Sequence, residues 1–101
     1  MIRHIVLFKL KPKVTKEEME GLIRELNGLK DSIEQVRAID VEVDVGRTPN
    51  SCDLVLDALF DNMEDVKTYS THPAHIKILG TADRLCESRM KIDYQIKNVG
   101  L

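Results

Sequence analysis

The chain has 101 residues, 43% hydrophobic and 32% charged, with a formal net charge of −2. That is the length of one domain, residues 1–101, with a modest core. The slight acidic balance lacks the basic surplus with which nucleic-acid binders meet phosphate, so no nucleic-acid partner is expected.

Residues 2–11 read as a strand rich in Ile, Val, Leu and Phe, closed by Lys11-Pro12. Alternation puts Ile2, His4, Val6, Phe8 and Leu10 on one face and Arg3, Ile5, Leu7 and Lys9 on the other. The apolar run at residues 5–8 is too short for a signal-peptide core or a membrane span. A cytoplasmic location without a membrane partner is the expectation. Cys52 and Cys86 stand far apart without paired spacing, which fits a reducing compartment.

A helix follows. Thr15 and Glu18 make a capping-box pattern, and Met19, Leu22, Ile23, Leu26 and Leu29 recur at helical spacing. Gly28 weakens its end. Residues 36–45 read as the second strand, with Ile39, Val41, Val43 and Val45 alternating against Asp40, Glu42 and Asp44. A loop with Gly, Pro and Asn leads to a third strand, residues 53–60, with Leu54, Leu56, Ala58 and Phe60 on one face.

Asp61 or Asn62 can cap a second helix that runs to Tyr69 or Ser70. Pro73 disfavours helical geometry at His72, so the helix breaks there. It restarts with the stripe His75, Ile78, Leu79, Ala82, Leu85 and Cys86. Arg84, Glu87 and Arg89 read as an exposed helix end, and residues 89–97 as the last strand.

The order βαββαβ predicts an α+β, ferredoxin-like protomer: a four-stranded antiparallel sheet with two helices on one face. The first and third strands are apolar on both sides, with Ile5, Leu7, Val55 and Leu59 on the second face. A bare apolar sheet face marks an interface, so a two-fold homodimer through the open face is expected. The acidic row Asp40, Glu42 and Asp44 is a candidate to meet Arg3, Lys9 or Lys91 across it.

Two stretches, RHIVLFKLK and DLVLDALFDNMEDVKTYSTHPAH, carry a resemblance over nearly the whole chain. With the Tyr-x-x-His-Pro-x-His pattern, they resemble the stress-responsive A/B barrel family, also called dimeric α+β barrel proteins. The resemblance implies a ferredoxin-like protomer and a homodimer whose sheets form a barrel. Most bacterial members have no assigned activity, some plant members are linked to stress tolerance, and one branch cyclises polyketides. In that branch the motif's tyrosine and final histidine carry the chemistry. Tyr69 and His75 match them, and His4 matches a pocket histidine. A further pocket histidine of the cyclase branch falls about where Leu54 stands, a departure from the pattern. Some members hold a cation through backbone carbonyls, which would lie here around Lys30, Ile33 and Val36.

The residues themselves fit a pocket. If Pro73 opens the second helical segment, His72 sits near its N-cap and His75 in its first turn. The positive helix end and an apolar surrounding both favour a neutral imidazole, which can act as a base. Tyr69 can hydrogen-bond a carbonyl or its enolate. Taken with the family resemblance, His75 and Tyr69 are the candidate catalytic residues, and His4, His72, Phe8 and Phe60 the candidate ligand-pocket residues. The ligand is expected to be a small molecule. The competing reading makes the histidines structural, in a non-catalytic stress-responsive dimer. An oxygen-dependent monooxygenase on a similar barrel finds less support. Three histidines suffice for zinc, but His72 and His75 straddle a proline, and neither a His-Glu-x-x-His signature nor a Cys pair is present. No side-chain metal site and no cofactor are expected.

Overall fold

The computed structural model of the chain describes residues 1–97. Its elements run β1 (Ile2–Leu10), α1 (Lys16–Asn27), α2 (Leu29–Ser32), β2 (Ala38–Val43), β3 (Leu54–Phe60), α3 (Met63–Thr71), α4 (Pro73–Leu85) and β4 (Cys86–Gln95). The strands form one antiparallel sheet in the order β2-β3-β1-β4. This is the ferredoxin-like arrangement the element order predicts.

Helix α1 starts where its capping box places it. The Glu18 amide donates to Thr15 Oγ1 at 3.1 Å, and the Thr15 amide donates to Glu18 Oε1 at 3.0 Å. Each side chain thus satisfies an amide that the first turn leaves free. Leu22 and Leu26 face inward from this helix. Asn62 caps α3, its side chain accepting the Asp65 amide at 2.9 Å.

The inner sheet face meets the helices. Ile2, His4 and Phe8 of β1 are buried there, with Leu54, Leu56, Ala58 and Phe60 of β3. Register places Asp93, Lys91 and Arg89 of β4 beside His4, Val6 and Phe8. Successive strand residues point to opposite faces, so those three charged residues share the helix-facing side. Met90, Ile92 and Tyr94 alternate onto the outer side, where they are exposed with Leu7.

Three details differ from the sequence reading. The first helical layer is α1 followed by the short α2 rather than one helix. Strand β2 is shorter than residues 36–45: Val36 is buried before it, and Val45 lies beyond it, 93% exposed. Strand β4 begins at Cys86, so Glu87 and Arg89 belong to a strand and not to a helix end. Within the protomer Arg3 pairs with Asp57, Lys91 with Asp93, and Asp44 accepts the Arg47 amide at 2.7 Å.

Candidate functional site

Pro73 determines the geometry of the site. In an unbroken helix the Ser70 carbonyl would accept the amide of Ala74. Pro73 instead opens α4 as its first residue, where the missing N–H costs nothing. His72 becomes the N-cap with extended backbone (φ −65°, ψ 136°), and its Nδ1 accepts the Ala74 amide at 3.0 Å. The Ser70 carbonyl is thereby released. The His75 ring turns back to it, with Nδ1 and the carbonyl 3.0 Å apart. A carbonyl oxygen only accepts, so Nδ1 carries the proton and Nε2 holds a lone pair.

His75 lines a cavity of about 310 Å³ between the sheet and α4. Its ring centroid lies 4.4 Å from that of Tyr69, tilted by 43°. Tyr69 packs in turn against His4 and Phe60 at 5.7 and 5.0 Å, and His4 meets Phe60 edge-on at 5.9 Å. Tyr69, His75 and His4 all border the cavity; Phe8, Leu26, Leu56 and Ile78 supply apolar wall.

His4 is held from β4. Its Nδ1 lies 2.5 Å from Asp93 Oδ1, and the two side chains are 5% and 12% exposed. Burial alone would raise the Asp93 carboxyl, but the hydrogen bond from His4 and the contact with Lys91 outweigh it and hold it below its ordinary range. An ionised carboxylate only accepts, so His4 Nδ1 donates and its Nε2 faces away from Asp93. Among the described residues, His4 Nε2, His75 Nε2 and the Tyr69 hydroxyl have no protein partner, and no fully buried polar side-chain atom is left unpaired. All three residues border the cavity.

Burial sets the protonation states. It pushes the Tyr69 phenol up to about 12, so the hydroxyl stays a donor through the neutral range. It also lowers the His75 imidazole below its ordinary value, against the bond to Ser70, while the charges of His4 and Arg89 act in the same direction as burial. At neutral pH the site holds a neutral imidazole beside a protonated phenol, an arrangement able to take a proton at one atom and give a hydrogen bond at another.

The predicted site residues fall into two groups. His75, Tyr69, His4 and Phe8 come together on the cavity wall. Phe60 does not line it: fully buried, it stands behind His4 and Tyr69 and fixes their rings. His72 is also absent from the wall, because its ring is committed to capping α4. Leu54 lies in the core and lines a shallow outer depression instead. The Ile33 carbonyl accepts the Val36 amide at 3.1 Å. No group of three or more His, Cys, Asp or Glu side chains fit to hold a metal ion occurs among the described residues.

Sequence reasoning missed Asp93, Arg89, Lys91 and Ser70. The period-two spacing of residues 89, 91 and 93 was the available signal for the first three. Ser70 contributes a backbone carbonyl, which no side-chain pattern announces.

The model of the stress responsive A/B barrel domain matches residues 2–96. The chain belongs to that family. A stress-response A/B barrel domain-containing protein of Arabidopsis thaliana is 27% identical, covering 99% of this chain and 94% of its own. A crystal structure from Bacteroides fragilis, described as a dimeric protein of unknown function with a ferredoxin-like fold, superposes with a TM-score of 0.79. It is 32% identical and covers 94% of this chain and 95% of its own. A Passiflora edulis hydroxynitrile lyase superposes with a TM-score of 0.87 over 97% of this chain and 94% of its own. At 16% identity it shares the fold alone. Among the described residues no helix is long and apolar enough to cross a membrane.

Proposed function

We propose that this stress-responsive A/B barrel protein is a homodimer that binds a small carbonyl compound in the cavity and performs acid–base chemistry on it. His75 Nε2 takes the proton from the carbon beside the carbonyl. The C–H electron pair moves into the new carbon–carbon double bond, and the charge arriving on the carbonyl oxygen meets the Tyr69 O–H. His4, held by Asp93, orients the ligand. The observation that carries this reading is the bond from His75 Nδ1 to the Ser70 carbonyl at 3.0 Å, which leaves the Nε2 lone pair free in a ring that borders the cavity with Tyr69.

The outer sheet face supports the dimer. Leu7, Met90, Ile92 and Tyr94 are 39%, 73%, 59% and 41% exposed on one side of the sheet, an apolar patch suited to a second copy. Dimers are also described among solved relatives.

A second reading, ligand binding without turnover in a stress-responsive dimer, is favoured by Leu54, which stands about where the cyclase branch has a histidine and is buried in the core. Exchange of α-hydrogens with solvent deuterium separates the two. With a small β-diketone, proton NMR is expected to show catalysed exchange that His75→Gln abolishes and Tyr69→Phe slows. Binding of the diketone without catalysed exchange would leave the non-catalytic reading.

A further inference from the structure

We propose that the cavity selects a carboxylate-bearing ligand, with the anionic end at Arg89 and Lys91 and the apolar body directed inward. The inference rests on the reading of the cavity as a ligand site and names the class of molecule it takes.

Two cationic side chains, Arg89 and Lys91, border the cavity, and no Asp or Glu does. Their carboxylate partners stand off the wall. Asp83 Oδ1 meets Arg89 Nη2 at 2.7 Å, and Asp93 Oδ2 meets Lys91 Nζ at 3.3 Å. Each partner fixes its cation with one contact and leaves most of its donors unused. A guanidinium carries five N–H donors and an ammonium three. The remaining wall includes Phe8, Leu26, Leu56 and Ile78. Such a wall holds an apolar body and offers charge-assisted hydrogen bonds at one end.

The strand register gives the spacing. Arg89 and Lys91 lie beside Phe8 and Val6, and Asp93 beside His4. At roughly 3.3 Å per residue, the cations stand about 7–13 Å along β4 from the His4 level. A carboxylate there leaves several bonds between itself and a group at Tyr69 and His75. Each cation already pairs with one carboxylate, which suits a single negative charge rather than a dianion. A cavity of about 310 Å³ is the size of a small-molecule site.

The test is calorimetric titration of the full chain with octanoate, 1-octanol, octylammonium and octyl phosphate. Octanoate is expected to bind about tenfold or more tighter than octanol, with octylammonium weakest. Raising the salt concentration should weaken octanoate and leave octanol unchanged. Lys91→Gln and the pair Arg89→Gln/Lys91→Gln should bring octanoate down to the affinity of octanol. Folding of the variants is checked by their retained binding of octanol, and the salt series on the unaltered protein reads the same preference if the pair does not fold. Equal binding of octanoate and octanol, no binding of either, tighter binding of octyl phosphate, or an octanoate preference indifferent to salt would overturn the proposal. His75→Gln should keep the octanoate preference while losing α-hydrogen exchange. Loss of the preference with exchange intact therefore refutes the carboxylate assignment alone, and the reverse refutes the catalytic reading alone.

Discussion

The His75 ring donates from Nδ1 to the carbonyl of Ser70 across the break that Pro73 makes between α3 and α4. The break at Pro73 turns the Ala74 amide to His72 Nδ1 and so frees the Ser70 carbonyl, and that carbonyl fixes the tautomer of the histidine five residues on. Exposure of a lone pair beside the Tyr69 hydroxyl thus follows from local backbone chemistry.

Removal of the proposed base and donor should be felt unequally. His75→Gln is expected to lower α-hydrogen exchange by about 10²–10⁴-fold, and Tyr69→Phe by about 10²–10³-fold. Tyr69→Phe keeps the ring that packs against His4 and Phe60, so thermal unfolding should change little. A large loss of melting temperature with no change in exchange would make Tyr69 structural.

His72 should behave differently. It caps α4 and does not line the cavity. His72→Ala leaves the Ala74 amide without its cap and should cost about 1 kcal/mol of stability. Ligand affinity in the cavity should be unchanged. Denaturant unfolding and ligand titration of the same variant check both halves.

Asp93→Ala strips the buried His4 Nδ1–H of its acceptor. An unpaired buried donor costs about 1–3 kcal/mol, so the melting temperature should fall. Asp93→Asn keeps an acceptor oxygen and should recover much of that loss. If alanine and asparagine are equally harmless, the pairing of Asp93 with His4 contributes nothing.

Acid should weaken the protein in two ranges. Burial, aided by the charges of His4 and Arg89, holds His75 below its ordinary value, so the unfolded chain gains that proton first. As pH falls through about 6.5, the unfolded value, stability should decline until the lower folded value is reached. Asp57 and Asp93 are also depressed, so their contribution is present above the unfolded carboxylate value and lost at lower pH. His75→Gln should flatten the near-neutral part of the curve and leave the acidic part. Denaturant midpoints measured from about pH 2 to 8 read both ranges.

The outer face makes its own prediction. Ile92→Lys places a charge where a side chain is already 59% exposed, so the protomer should stay folded. Light scattering is expected to give about twice 11.5 kDa for the unaltered chain and one such mass for the variant. A dimer in both would move the interface elsewhere.

Much of this site was readable from sequence because its parts are local. The alternation of β1 put His4 and Phe8 on the inner face, and Pro73 announced both the break and the first-turn position of His75. Phe60 alternated correctly inward, but alternation cannot tell a cavity wall from the layer behind it. His72 was placed at the joint, while its capping bond, which depends on rotamer and backbone together, was out of reach. Arg89, Lys91 and Asp93 fell within the expected last strand, residues 89–97, but only the register with β1 sets them beside Phe8, Val6 and His4 on the helix-facing side.

The most direct test is long-range proton–nitrogen NMR of the His75 ring near pH 7.5, with and without a bound β-diketone. The account predicts a neutral ring protonated at Nδ1, with Nε2 showing the shift of an unprotonated nitrogen that moves when ligand enters. A proton on Nε2, or an Nε2 signal indifferent to bound ligand, would contradict it.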